Sequence, residues 1–408
     1  MDTAHKNILV IGGGPAGTFA AMAAKKQDPA ARVVLLSDEA CEPYEKPPLS
    51  KAVLLGKVRP SDALIAGPHG LVSHGIPLEG CAKCAAIDLE NRAVSLTDGR
   101  RLPYDSLVIA TGSQAREIPQ LPLGTPGVHY LRTEADAHAL KSALERSSRL
   151  LVVGGGLIGL EVAASAAELG VRTTVIEVAP RILARVCDEE TSRFVHDAHA
   201  THGVDIRVGT SIRHASADSE GKVTVVTDDG TTLTGDLAVI GTGARPDDRL
   251  AADAGIAVQD GIIVDEYCRT SDPAVYAAGD VVRFPGPHGP VRLENWRHAQ
   301  DQGAVAGRNA AGASDRYTTV PSFWSEQYDL YIQGVGWTTN GTMVRRPLSG
   351  NAALLFVVND QRLVYAMGIN VQRDIAAARR LIERGSAVDP AALADPSAPL
   401  AAMLKARP

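Results

Sequence analysis

The chain has 408 residues, a formal net charge of -6 and a 45% apolar composition. That length exceeds what one hydrophobic core organises, so two or three domains are expected. The charge leaves no overall basic field, which argues against general binding to nucleic acid or anionic membranes. Five cysteines, Cys41, Cys81, Cys84, Cys187 and Cys268, are few and odd in number, as in a reducing cytoplasm. Met1 to Lys6 carries no apolar leader, and the most apolar window, Leu150 to Val171, contains Glu161, Glu168 and five glycines. A cytoplasmic chain without a membrane span is therefore expected.

Ile8 to Ile11 reads as a short buried parallel strand, and Gly12, Gly14 and Gly17 follow it with G-x-G-x-x-G spacing. In such a unit the first glycine permits a tight turn, the second lets a pyrophosphate approach the backbone, and the third lets the helix pack on the strand. The helix is expected over Thr18 to Gln27 and the next strand over Arg32 to Leu36. Asp38 then stands where a carboxylate can bond a ribose hydroxyl, about 20 residues on. Pro47-Pro48-Leu49-Ser50-Lys51 predicts a proline turn that starts a helix near Ser50. A hairpin at Asp98-Gly99 and a returning strand, Leu107 to Gly112, complete the unit.

The same order then recurs. Leu150 to Val153 leads to Gly154, Gly156 and Gly159, Thr173 to Ile176 ends at Glu177, a hairpin forms at Asp229-Gly230, and Leu237 to Gly243 returns. Two such constellations imply two nucleotide-binding modules. Glu177 accepts bonds from an adenosine 2'-OH and repels a 2'-phosphate, so NADH is favoured over NADPH in the second. Asp280, after the run Tyr276-Ala277-Ala278-Gly279, is placed to accept a bond from the ribityl chain of a flavin dinucleotide in the first. Phe284 to Pro290 reads as a loop, Glu294 to Gly312 as a long helix, and Leu354 to Met367 as a hairpin. This last part reads as a small third domain with a helical, Ala/Pro-rich tail.

The two dinucleotide folds, the segments ending in Thr111-Gly112 and Thr242-Gly243, and Ala277-Ala278-Gly279-Asp280 resemble the two-dinucleotide-binding-domain flavoproteins. Pro47-Pro48-Leu49-Ser50-Lys51, Glu294-Asn295-Trp296, Ala299 to Gly303 and Phe323-Trp324-Ser325-Glu326-Gln327-Tyr328 resemble a narrower group. These are the flavin-dependent ferredoxin reductases that serve aromatic-ring dioxygenases or cytochrome P450 systems. The resemblance implies an α/β fold with two Rossmann-like, glutathione reductase-like domains and a small α+β C-terminal domain. It places an FAD domain at 1-114 and 243-316, an NAD domain at 115-242 and the third domain at 317-408. It implies that Gly12, Gly14, Ala16, Gly17, Asp38, Lys51, Thr111, Gly112, Arg132, Asp280 and Trp296 contact FAD. Gly154, Gly156, Ile158, Gly159, Glu161, Glu177 and Gly243 would line the NADH site. Lys51 and Glu161 would form a catalytic pair beside the flavin N5. Lys46 departs from the arginine these reductases commonly carry before the two prolines, and loses its planar fork.

Hydride transfer from NADH to FAD leaves open where the electrons go next. Around Pro47 to Lys51 there is no redox cysteine pair, and Cys81-Ala82-Lys83-Cys84 lies outside either location the resemblance allows for one. The cysteines form no four-ligand cluster set, so no metal is expected in the chain. An external 2Fe-2S ferredoxin, docked transiently, is the expected acceptor. Ferredoxins are usually acidic, so Arg297, Arg308, Arg316, Arg345 and Arg346 are candidates for its docking face. Two alternatives are an NADH oxidase or peroxidase using Cys41, and an NADH-sensing interaction protein of the apoptosis-inducing factor type. Oligomeric state is not legible in the sequence.

Overall fold

The computed structural model describes residues 5-337 and 340-404. The chain forms two compact units. One comprises the described residues up to Pro48 with Val58–Gln114 and Ala244–Thr319; the other comprises Leu49–Lys57, Ala115–Gly243 and the described residues from Val320 onward.

The first unit is built on a parallel five-stranded sheet, in the order Val275–Ala277, Ser106–Ile109, Asn7–Ile11, Arg32–Leu36, Leu78–Glu79. Its strands are nearly continuous apolar runs because both faces are covered; Ile8, Val10, Leu35, Leu107 and Ile109 are fully buried. The helix after the first glycine turn spans Pro15–Gln27, starting three residues before the expected Thr18, because Pro15 has the fixed φ suited to a first helical position. It crosses Trp296–Ala310 at close range: a Cβ on Gly303 or Gly307 would lie 2.2 and 2.0 Å from the carbonyl oxygens of Ala16 and Ala20. The expected loop at Phe284 to Pro290 is instead an antiparallel pair, Val282–Gly286 with Gly289–Val291. Pro285 faces Pro290 in it, tolerable for prolines at the margin of a small sheet.

The second unit repeats the plan with Asp205–Arg207, Arg172–Ile176, Arg149–Val153, Leu237–Ile240 and Val128–His129, again all parallel. Each unit also carries a three-stranded antiparallel sheet containing its Asp-Gly hairpin. No helix starts at Ser50: Pro47–Ser50 is a short 3-10 turn continued by further turns. Leu54 anchors those turns in one core with Leu140, Leu144, Leu160 and Val162, which is why Leu49–Lys57 belongs to this unit.

The last part of the chain is larger than one hairpin. Ala353–Asn359 and Arg362–Ile369 pair as expected, but within a five-stranded antiparallel sheet that adds Thr342–Arg346, Leu330–Gly336 and Ser322–Gln327. The amphipathic helix Gln372–Arg384 buries Ile375, Ala378 and Leu381 and ends at Gly385 in the left-handed conformation. No helix among the described residues is long and apolar enough to cross a membrane.

Candidate functional site

Each parallel sheet brings its glycine turn, its returning strand and its strand-end residues to one edge. In the first unit Ile11, Ile109 and Ala277 lie in register, so Gly12 to Gly17, Thr111-Gly112 and Gly279-Asp280 all leave the carboxyl end of the sheet. In the second, Val153 is in register with Ile176 and Ile240, which gathers Gly154 to Gly159, Glu177 and Gly243 in the same way. Crevices outside the carboxyl ends of parallel strands are where such sheets bind ligands.

The two turns are near copies. Gly12 has φ +116° and a Cβ there would lie 2.1 Å from the Ala110 carbonyl oxygen; Gly154 has φ +111° and would meet the Gly241 oxygen at 2.4 Å. Gly17 and Gly159 pack so closely that a Cβ would lie 1.9 and 2.1 Å from the oxygens of Gly12 and Gly154. Gly14 and Gly156 have open space on their Cβ side and are the N-caps of their helices, without a side-chain cap. The first-turn N-H groups at both helices are thus left for an anionic ligand.

At the strand ends the copies diverge. Glu177 follows its strand directly and accepts hydrogen bonds from the N-H groups of Gly155 at 2.6 Å and Ala179 at 2.7 Å. The equivalent residue in the first unit is Ser37; Asp38 lies one position further and is exposed. Glu39 is the acid turned inward there, accepting from Tyr44 at 2.6 Å and paired with Lys46 at 2.8 Å.

Asp280 accepts from Ser113 at 3.0 Å, and Thr111 donates to the Asp247 carbonyl at 2.7 Å while the Gly112 carbonyl accepts from the Asp247 N-H. Ala16 is buried with its carbonyl against Gly303. Trp296 opens its helix, bonds Glu45 and meets Phe19 edge to face at 5.9 Å. On that same helix Gln302 Oε1 accepts from the Gly279 N-H at 2.9 Å, but among the described residues its buried Nε2 and the buried Gln300 Oε1 have no hydrogen-bond partner. Each such group costs about 1–3 kcal/mol, so the site has polar capacity to offer a ligand. In the second unit Ile158 is half exposed at the helix start, the Gly243 carbonyl accepts from Arg116, and the Arg132 N-H donates to Asp136.

Lys51 and Glu161 meet within the second unit. Glu161 is 5% exposed, and Lys51 Nζ lies 3.4 Å from its Oε1. Burial pushes the Glu161 carboxyl up, opposed by Lys51 and by hydroxyl donors from Ser325 and Ser50. Ser325 donates to Oε1 at 2.6 Å, Ser50 donates to Oε2, and Ser165 secures the Ser50 carbonyl at 2.9 Å. Both serines stand inside the Pro-Pro-Leu-Ser-Lys and Phe-Trp-Ser motifs, and Gln300 and Gln302 inside Ala299 to Gly303, but local spacing gives none of the four a role.

The arginines expected at a docking face have local partners. Arg297 pairs with Asp301, Arg308 with Asp315, Arg316 with Glu266, and Arg345 with Asp188 and Glu190. Arg346 is buried, donating to the Leu393 carbonyl at 2.8 Å, and is structural. None of the five cysteines is joined in a disulfide. Burial raises the Cys84 thiol to about 12 and the Cys187 thiol to about 11, which keeps both as unreactive thiols. Among the described residues no group of His, Cys, Asp or Glu could hold a metal ion.

Residues 6-303 match the family described as pyridine nucleotide-disulphide oxidoreductase, and residues 322-404 match the one described as reductase C-terminal. The chain is similar to the ferredoxin-NAD(+) reductase component of the anthranilate 1,2-dioxygenase system of Burkholderia cepacia, at 40% identity over 97% of this chain and 98% of that protein. It is 35% identical to rhodocoxin reductase of Rhodococcus erythropolis, over 95% and 92% of the two chains. Among solved structures it is similar to putidaredoxin reductase in its covalent complex with putidaredoxin, with TM-score 0.93, 32% identity, and 98% and 99% coverage.

Proposed function

Since the chain belongs to the pyridine nucleotide-disulphide oxidoreductase family and ends in a reductase C-terminal domain, we propose that it is an FAD-dependent NADH:ferredoxin reductase. Its electrons would pass to a 2Fe-2S ferredoxin that serves an aromatic-ring dioxygenase or a cytochrome P450. The observation that carries this reading is the pair of near-identical glycine turns, of which only the second is closed by a strand-end carboxylate, Glu177.

FAD, when bound, would supply the redox chemistry, two-electron hydride acceptance and one-electron release. The residues of the chain bind and orient. The uncapped helix start after Gly14 would hold the FAD pyrophosphate through backbone N-H groups, with Asp280, Trp296, Gln300 Oε1 and Gln302 Nε2 as further polar contacts. The helix start after Gly156 holds the NADH pyrophosphate, Glu177 its adenosine ribose, and Ile158 gives an exposed apolar contact. Lys51 and Glu161 are the catalytic pair, a cation and a buried carboxylate whose mutual charge needs no water to orient it. In this assignment 1-114 and 243-316 serve FAD and 115-242 serves NADH, followed by the third domain at 317-408. A cytoplasmic location belongs to the same proposal, supported by five cysteines that form no disulfide.

The test is NADH-driven cytochrome c reduction with and without candidate 2Fe-2S ferredoxins. Ferredoxin should accelerate it by an order of magnitude or more, as about 1.4 kcal/mol of coupling requires. Rapid peroxide turnover with no ferredoxin dependence would refute the proposal in favour of an oxidase or peroxidase.

A further inference from the structure

The donors that hold Glu161 do not end at Ser325. Gln327 Nε2 lies 3.0 Å from Ser325 Oγ, Gln327 Oε1 lies 2.8 Å from His199 Nε2, and the Tyr328 hydroxyl lies 3.1 Å from His199 Nδ1. Ser325, Gln327 and His199 are each at most 1% exposed. Tyr328 is the last donor of this hydrogen-bonded series, its ring stacked on the exposed His202 at 3.7 Å.

With Glu161 ionised beside Lys51, 3.4 Å away, the direction of every bond follows. An ionised carboxylate only accepts, so Ser325 must donate to Glu161. Its oxygen then accepts from the Gln327 amide nitrogen, which turns the Gln327 carbonyl toward His199. His199 must therefore carry its proton on Nε2, and its Nδ1 lone pair takes the Tyr328 hydroxyl. Four donors in series point one way and terminate on one carboxylate. A protonated Glu161 would free the chain to run in the opposite sense.

We propose that His199 is a positioning residue for Glu161: acting through Gln327 and Ser325, it polarises a buried donor chain that holds Glu161 as an anion beside Lys51. At Glu161 burial works against the anion and Lys51, Ser325 and Ser50 work for it; at the far end the titration agrees with the geometry. Burial, with help from His202 and His196 and against the Gln327 bond, lowers His199 to about 4, so it stays neutral at physiological pH. Burial and Glu168 raise the Tyr328 phenol, so it stays a donor. The groups facing the chain are Lys51 and Ser50 at Glu161, and His196, His202 and Glu168 at its far end. The catalytic consequence rests on the proposed reductase function, whereas the tautomer and the charge of Glu161 do not.

The experiment is carried out on the holoenzyme with 15N-labelled histidine and 13C-carboxyl-labelled glutamate, assigned with His199→Gln and Glu161→Gln. His199 should be the Nε2-H tautomer. His199→Leu should move the Glu161 titration upward by about one pH unit, the scale of one lost hydrogen bond to a charge. It should slow flavin reduction by NADH more at pH 6 than at pH 8, and add no further slowing in a Glu161→Gln background. His199→Gln, which can present an N-H toward Gln327, should restore most of the titration. Tyr328→Phe, a change near the surface that removes only the hydroxyl, should give a mixture of His199 tautomers. An Nδ1-H tautomer in the unsubstituted protein, or a Glu161 titration unmoved by His199→Leu, would overturn the proposal. If NADH fails to reduce the flavin at all, the reductase reading falls while the two NMR readings still decide this one.

Discussion

The two glycine turns begin as the same object and end as different ones. Gly12 and Gly154 share their left-handed backbone, Gly17 and Gly159 their contact with the preceding turn, and Gly14 and Gly156 their open faces. What differs lies at the end of the neighbouring strand. Behind the second turn Glu177 grips two loop N-H groups and still has lone pairs for a ribose diol. Behind the first stands Ser37, with the inward acid displaced to Glu39 and already shared by Tyr44 and Lys46. A glycine turn therefore specifies a pyrophosphate and little more; the residue after the second strand specifies the rest.

The sharpest way to separate the turns is to break them one at a time. Gly12→Ala forces a Cβ onto the Ala110 carbonyl in a backbone region that alanine avoids. It should yield protein without flavin, measured as the loss of absorbance near 450 nm relative to 280 nm (~0% retained). Gly154→Ala makes the matching clash with Gly241. It should keep its flavin while losing about 10- to 100-fold in NADH affinity, since overpacking costs about 1–3 kcal/mol. If Gly154→Ala loses flavin and Gly12→Ala keeps it, the assignment of the two turns is reversed.

A smaller change probes the divergence itself. Glu177→Ala removes both the ribose acceptor and the clamp on Gly155 and Ala179, and should raise KM for NADH about tenfold with less effect on NADPH. Glu177→Gln keeps one acceptor oxygen for the loop and should fall between. Steady-state kinetics with both nucleotides decides it: an unchanged NADH to NADPH ratio in Glu177→Ala would show that Glu177 does not discriminate.

Much of this comparison was legible in the sequence because it is local. Each turn, its strand and its helix are written in consecutive residues, and so is the Asp-Gly hairpin that follows each second strand. What was not legible depends on partners far apart in the chain. Ser325 reaches Glu161 across 164 positions and Ser50 across 111, and nothing in either motif's spacing announces a shared carboxylate. The same holds for Arg346, which reads as a surface charge until Leu393, 47 residues later, takes its guanidinium. The sheet joining Ser322–Gln327 to Leu330–Gly336 was missed for a different reason: its tight link places Tyr328 at φ +57°, a conformation for which no glycine or asparagine gave warning.

The units also share a buried neutral histidine, and here the expected effect is smallest at neutral pH. His298 in the first unit lies 2.7 Å from the Tyr317 hydroxyl and His199 in the second lies 2.8 Å from Gln327. Burial lowers both to about 4, against Asp280 and the Gly279 backbone at His298 and against the Gln327 bond at His199. The unfolded chain, with imidazoles near 6.5, binds more protons than the folded one once the pH falls below that value. Each histidine therefore contributes stability that is whole above pH 6.5 and is lost as the pH falls toward 4, by up to about 3 kcal/mol. Hydrogen exchange resolved by unit should show this separately. His298→Gln should flatten the acid loss of protection in the first unit alone, and His199→Gln in the second alone. Equal flattening of both units by either substitution would mean that the two unfold as one, and would erase the independence on which the comparison of their turns depends.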